Sequence, residues 1–246
     1  MRSDDFHDVR LFVEPPLAVA APIACTKEQA NYLLNVLRLR AGADILVFNG
    51  RDGEWRARLA EVGKRRCTLE CLTPTRPQRD GPDVHYLFAP LKHARLDYMV
   101  QKATEMGVAH LQPVLTRRTI AARVNLERMR ANAIEAAEQC GVLRVPSVGE
   151  PLKLDTLLAA WDPKRKLIFC DEAANVANPL TALAAVEAKP LAVLIGPEGG
   201  FDVSERALLR QQPNALAISL GPRVMRADTA AVAALALVNA ALGDWG

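Results

Sequence analysis

The residues whose types and spacing fit them for chemistry lie in Gly196-Pro197-Glu198-Gly199-Gly200 and in Gly221-Pro222-Arg223-Val224-Met225-Arg226-Ala227-Asp228-Thr229. Each stretch follows a short apolar run and precedes a helical pattern. In an open α/β sheet such a junction lies at the carboxyl end of a strand, where glycines leave backbone N–H groups open to a ligand. A lone Gly-Gly is explained as well by a tight turn at the sheet edge. The same grammar written twice points instead to two loops on neighbouring strands, closed around one small ligand. Glu198 and Asp228 are the carboxylates nearest those loops in sequence, and Arg226 is the candidate cation beside them. Their plain structural uses are to accept loop N–H bonds, to pair with a carboxylate and to cap the last helix.

The elements that must position these loops can be read around them. Leu191–Ile195 is apolar throughout, as a strand buried on both faces requires. Asp202 with Glu205 gives a carboxylate version of a capping box for the helix that follows. From Val84 the chain alternates strand and helix: strands over 84–91, 108–114, 147–148 and 166–170, helices over 96–106, from Asn125 to about Cys140, near 154–160, over 179–186 and over 229–242. That alternation predicts a parallel sheet with helices on both faces. No GxGxxG follows the first of these strands and no GxxxxGK[ST] occurs, which argues against a nicotinamide Rossmann fold and a P-loop.

The amino-terminal third reads differently. Residues 10–13 form a short strand after a loose Met1–Asp8, and Thr26 with Gln29 caps a helix expected to run to Gly42, with Arg38 and Arg40 in its last turn. Asp44–Phe48, Glu54–Val62 and Cys67–Leu72 are strands joined by hairpin turns. Residues 1–74 are thus a small β-rich barrel with one helix, 75–82 a proline-rich linker and 83–246 the α/β half. Arg56, Arg58 and Lys64–Arg66 fit either a solvated surface or an RNA-binding face.

Composition bounds the rest. The 246 residues are 50% apolar and 24% charged, an ordinary globular balance, and a net charge of +3 permits an RNA partner without demanding one. The five cysteines, at 25, 67, 71, 140 and 170, and the four histidines show no metal-ligand spacing, so no metal is expected. Cys67 and Cys71 share one face of a strand as buried thiols. An odd cysteine count without a secretory apolar segment predicts a reducing cytoplasm. The longest apolar run, Ala230–Val238, is too short to span a membrane. The last helix is alanine-rich and apolar nearly all round, which predicts either a homodimer or a central helix of one core.

Taken together, Leu194–Gly200 and Leu220–Ala230 closely resemble the paired carboxyl-terminal motifs of the RsmE family, SPOUT-class methyltransferases that modify N3 of a uridine in 16S ribosomal RNA of the small subunit. Val36-Leu37-Arg38, Gln101–Val108, Pro113 with Arg118, Glu138–Gly141 and Arg144-Val145-Pro146 match in order, so the similarity spans almost the entire chain. The resemblance implies a PUA-like RNA-binding barrel, then an α/β domain tied in a deep trefoil knot, working as a cytoplasmic homodimer on 16S RNA or the small ribosomal subunit. It implies S-adenosylmethionine as cofactor, held by Leu194, Ile195, Gly196, Pro197, Gly199 and Gly200 of one loop. Leu220, Gly221, Val224, Met225 and Thr229 hold it from the other side. Arg10, Arg38, Arg40, Lys92, Lys102, Arg118, Gln139 and Arg144 are the expected RNA contacts. The chain departs from the family pattern at Asp228, Tyr32, Arg117 and Val142.

Methylating a uridine nitrogen requires in-line positioning and removal of the N3 proton. Arg226 is the candidate for stabilising the uridine anion or orienting the base, and Glu198 and Asp228 are the candidate carboxylates. The competing readings are a SPOUT enzyme acting on another RNA nucleotide, a non-catalytic RNA-binding protein, and an α/β enzyme using a phosphorylated small substrate.

Overall fold

The computed structural model describes residues 9–121, 123–174, 178–187 and 190–245; the segment read as loose, with its His7, and the side chain of His93 lie outside the described residues. The chain divides into two compact units, one of residues up to Asp80 with Ala137–Arg144, the other of Gly81–Ala136 with Val145 onward.

The first unit is built on a five-stranded sheet of β1 (Arg10–Phe12), β2 (Pro22–Ala24), β3 (Asp44–Phe48), β4 (Glu54–Val62) and β5 (Cys67–Arg76) in the order β1-β3-β4-β5-β2. Alternation decides its inside: Ala57, Leu59, Leu69, Cys67 and Cys71 are buried with Ile45 and Val47, while Arg58 and Glu70 face out. Both strand cysteines are free thiols. Strand β5 continues four residues beyond Leu72, because its pairing with β4 extends through Pro74 and Arg76.

The helical stretch after Thr26 is shorter than its apolar spacing predicts. Helix α1 (Lys27–Asn31) starts on the expected capping box and passes into a single π-helical stretch over Tyr32–Val36. It closes when Leu37 N–H donates to the Tyr32 carbonyl and Leu39 N–H to the Leu33 carbonyl. Arg38 then turns left-handed, at φ 57°, so Arg38 and Arg40 stand beyond the helix end rather than in its last turn.

A second correction concerns Arg10. Its side chain is only 7% exposed; Nε donates to Glu54 at 2.8 Å and Nη1 to the carbonyls of Ala137 and Glu138 at 2.6 and 3.0 Å. Arg76 spans the same carboxylate, donating from Nη2 to Oε2 at 2.6 Å and from Nε to Oε1 at 2.8 Å, and donates to the Gly141 carbonyl at 3.1 Å. Arg10 therefore caps the carboxyl end of a helix within the unit and is not available to grip RNA.

The second unit carries a parallel sheet in the order β12-β10-β11-β6-β7-β8, formed by β6 (Val84–Phe88), β7 (His110–Leu115), β8 (Ser147–Val148), β10 (Lys166–Cys170), β11 (Leu191–Ile195) and β12 (Ala215–Ile218); β9 (Leu152–Lys153) pairs with β7. Successive residues go to opposite faces. Tyr86, Phe88, Ile168, Val193 and Ile195 belong to the core that includes residues of α2 (His93–Glu105), α3 (Leu126–Cys140), α5 (Pro179–Ala184) and α7 (Ala227–Leu242). Leu87, Leu167, Phe169, Ala192 and Leu194 join residues of α4 (Leu154–Ala159) and α6 (Val203–Gln211). Helix α7 buries Ala230, Ala231, Ala234, Leu235 and Val238, and its buried Asn239 donates to the Met106 carbonyl at 2.8 Å. Its own unit thus covers much of the apolar surface that the composition left to a partner.

Candidate functional site at the carboxyl edge of the parallel sheet

Because β12, β10, β11, β6 and β7 run parallel, the loops that leave their carboxyl ends share one edge of the sheet. The two glycine loops are brought together there, though not from neighbouring strands: β10 lies between β11 and β12. Its end residues Cys170, Asp171 and Glu172 complete the wall. The resulting cavity, about 270 Å³, is bounded by the 195–201 loop, the 219–225 loop and the first turns of α7.

Specific contacts hold the first loop. Asp202 accepts from Ser204 N–H at 2.9 Å, and Glu205 returns a bond to Asp202 N–H at 3.0 Å, completing the expected capping box. The other oxygen of the buried Glu205 accepts from Arg117 N–H at 2.7 Å, which joins this loop to the one after β7. Arg118 adds a bond from Nη1 to the Gly199 carbonyl at 2.7 Å. Gly200 closes a turn by donating to Pro197 at 2.8 Å. It has φ 68°, and a β-carbon there would stand 2.9 Å from Glu172 Oε1; one on Gly196 would stand 3.0 Å from the Phe201 ring. Only glycine meets both demands.

The opposite wall is acidic and anchored. Asp171 is fully buried, pairs with Arg206 and Arg210 at 3.0 Å each, and accepts from Ala173 N–H. Glu172 also holds Arg206 at 3.0 Å, yet its side chain is 61% exposed. Burial pushes the Cys170 thiol up to about 12, so it lines the cavity as a neutral group and not as a nucleophile.

Of the expected cofactor residues, Ile195, Gly196, Pro197, Gly199, Gly200, Leu220, Gly221, Val224 and Met225 line this cavity. Leu194 does not; it is fully buried on the α4 and α6 side and supports the loop from behind. Thr229, Arg226 and Asp228 are also outside the lining. Arg226 occupies the N-cap position of α7 with an exposed side chain. Asp228 is not the cap: it sits within the first helical turn and accepts from Thr229 N–H at 2.9 Å.

Glu198 lies on a second boundary. Together with Pro197 it lines both the first cavity and an adjoining one of about 400 Å³, whose remaining wall comes from Pro90–Lys92, Ala94, Arg95, Arg118, Ile120 and Ala121. Its carboxylate is paired with Arg95, and both side chains stay substantially exposed. The expected RNA contacts do not form one cluster. Lys92 and Arg118 meet at this second cavity, Lys102 is bound to Glu105 at 2.7 Å and lies over the Tyr98 ring, and Gln139 is exposed at the end of α3. Arg144 is half-buried in the first unit. Sequence reasoning missed Asp171 and Glu172, which stand just past the carboxyl end of β10, where the rule that found the glycine loops applies, and it missed Cys170 at the strand's last position and Arg95 in the first turn of α2, to which that rule does not reach. Among the described residues no group of three or more His, Cys, Asp or Glu side chains is placed to hold a metal ion.

Known proteins resemble this chain in sequence and in fold. Residues 79–239 match the RNA methyltransferase domain family and residues 26–71 the RNA methyltransferase PUA domain. A ribosomal RNA small subunit methyltransferase E of Synechocystis is 32% identical, over 95% of this chain and 78% of its own length. A protein of the same name from Neisseria gonorrhoeae, solved bound to S-adenosyl methionine, superposes with a TM-score of 0.88 at 26% identity, covering 98% of this chain and all of that one. A methyltransferase of Legionella pneumophila, solved with bound SAM, gives 0.87 at 28% identity over 97% and 99% of the two chains.

Proposed function

We propose, from the premise that this chain belongs to the RNA methyltransferase family, that it uses S-adenosylmethionine to methylate N3 of a uridine in 16S ribosomal RNA of the small ribosomal subunit. One observation carries this reading: two glycine loops and the end of β10 enclose a single cavity beside a second cavity with basic residues in its wall. The first cavity suits the cofactor. Gly200 takes the left-handed φ of 68° that the loop turns on, Gly196 leaves room for the Phe201 ring behind it, Ile195, Leu220 and Met225 offer apolar contact to an adenine, and the exposed carboxylates of Glu172 and Glu198 in the lining favour a ligand carrying a sulfonium and an ammonium. When bound, that cofactor supplies an electrophilic methyl group.

The chain's own residues supply the remaining needs. The glycine loop, fixed through Glu205 and Arg118, orients the ligand. The Glu198 carboxylate, at the boundary of both cavities, accepts the proton from uridine N3. Arg226, exposed between the lining residues Met225 and Ala227, stabilises the negative charge left on the base. Asp228 contributes first-turn charge to α7 in place of a base role.

In this reading the PUA-like RNA-binding domain runs to the end of β5 at Arg76, two residues past the boundary expected at 74, residues 77–82 are the linker and 83–246 the knotted catalytic domain. Arg38 and Arg40 supply phosphate contacts, supported by the left-handed backbone that projects an exposed Arg38 from the end of the π-helical stretch. A homodimer would use the half-buried Val232, Ala233 and Ala236 of α7, and sedimentation of the purified chain tests it. The place of action is the cytoplasm, where small subunits are assembled. The deciding experiment is mass spectrometry of ribosomal RNA from cells with and without the protein. One 3-methyluridine should vanish from 16S RNA. A methyl lost from another nucleotide would move the substrate, and no loss at all would leave an RNA-binding protein without this activity.

A further inference from the structure

The cavity on the far side of Glu198 carries a further assignment. Its floor and walls are apolar: Leu91 is 7% exposed, and Pro90, Ala94, Ala121 and Pro197 add surface without polar side chains. Its charge is of one sign apart from Glu198 itself, with Lys92, Arg95 and Arg118 around it. At about 400 Å³ it falls in the range of small-molecule sites, roughly 300–1,000 Å³. An enzyme that alters a base must take that base out of its stack, and an unstacked nucleotide is a flat, largely apolar ring joined to a phosphate. Among single nucleotides, small sugars and acidic peptides, a nucleotide best matches apolar walls, a cationic rim and an acceptor at the end nearest the cofactor cavity.

We propose that this cavity receives the target pyrimidine nucleotide, turned out of the RNA strand. The ring lies against Leu91, Ile120 and Pro197, with its N3 edge toward Glu198 and its phosphate on Lys92 and Arg95. The ion pair between Arg95 and Glu198 is then a latch. Without RNA, Arg95 occupies the carboxylate; an arriving phosphate draws the guanidinium away and leaves Glu198 open to the N3 proton. Arg95 is thereby a positioning residue that acts through Glu198. Arg118 is committed to the Gly199 carbonyl and keeps the shared wall in place. This assignment rests on the proposed methylation of uridine in RNA.

The test combines mapping with variants of the full-length protein. A 16S RNA fragment carrying 4-thiouridine at the methylated position should cross-link, on irradiation, to peptides containing residues 90–95 or 118–121. Ala94→Trp, which fills the cavity without removing a charge, should lower kcat/KM for RNA by about 100-fold while the dissociation constant for S-adenosylmethionine changes less than about two-fold. Arg95→Ala should reduce the slope of log RNA affinity against log salt by about 0.7, the signature of one lost phosphate contact on a single strand; Arg95→Lys should restore it. Cross-links confined to other segments, an unaltered Ala94→Trp enzyme, or an unchanged salt slope would each overturn the cavity assignment while leaving methylation intact. If the wild-type protein moves no methyl group to RNA, the proposed function falls and this assignment falls with it, an outcome distinct from the three above, in which methylation by the wild-type protein persists.

Discussion

Two arginine clusters in this chain answer different needs. In the first unit Arg10 and Arg76 enclose Glu54, with side-chain exposures of 7%, 29% and 3%, and their spare donors end on carbonyls of residues 137–142. At the carboxyl edge of the parallel sheet, Arg95 and Glu198 form one contact and remain 41% and 45% exposed. The first cluster has its partners built in and little water to lose. The second can exchange its partner for a ligand at small cost, since exposed ion pairs are worth only about 0–1 kcal/mol. A charged residue reports its role through the number and burial of its partners, and its type alone does not.

Variants can break or sharpen that contrast. The largest effect is expected at the exposed cluster: Glu198→Gln should lower methyl transfer by about 10²–10⁴-fold, the range of general-base catalysis, with cofactor affinity and melting temperature held. Near-normal turnover in a methyl-incorporation assay would remove Glu198 as the base. The buried cluster should behave in the opposite way. Glu54→Ala leaves two guanidinium groups without their carboxylate and should cost about 3–5 kcal/mol of stability in a denaturant titration. Burial pushes the Glu54 carboxyl up, but the hydrogen bonds from Arg76 and Arg10 outweigh it and hold the pKa below the ordinary value. That contribution is therefore complete above the unfolded carboxylate pKa and fades as pH falls through the depressed folded value. The gap between wild type and Glu54→Ala should narrow on acidification, and a constant gap would refute the assignment.

Smaller effects separate backbone from charge. Gly200→Ala meets both a left-handed φ and the Glu172 carboxylate, whereas Gly107→Ala meets a left-handed φ of 76° with open space around it. Calorimetry should give about 1–3 kcal/mol for the first, with weakened cofactor binding, and about 1–2 kcal/mol for the second, with binding unchanged. Asp228→Asn should be the mildest, about 0.3–1 kcal/mol from lost first-turn charge, with turnover retained. A large loss of turnover would restore Asp228 to the chemistry.

Much of the α/β half was legible because its signals are local: an apolar run of strand length, a cap, a glycine stop. Leu191–Ile195, Lys166–Cys170 and the Asp202 cap all appear where their patterns stand. What failed depended on distance. Arg10 and Arg38 look alike in sequence, and only a helix end more than 120 residues away makes one of them structural. The order of strands was equally hidden, so β10 and its Asp171 and Glu172 were not foreseen between the two glycine loops. The early end of the helix after Thr26 reflects a π-helical hydrogen bond that side-chain periodicity does not encode.

The carboxylate of Glu205 reaches Asp202 N–H with one oxygen and Arg117 N–H with the other. One side chain thereby ties the glycine loop of the first cavity to the segment that borders the second. If binding at one site orders that carboxylate, the other site is filled at a smaller entropic cost, and thermodynamic reciprocity makes the two changes in affinity equal.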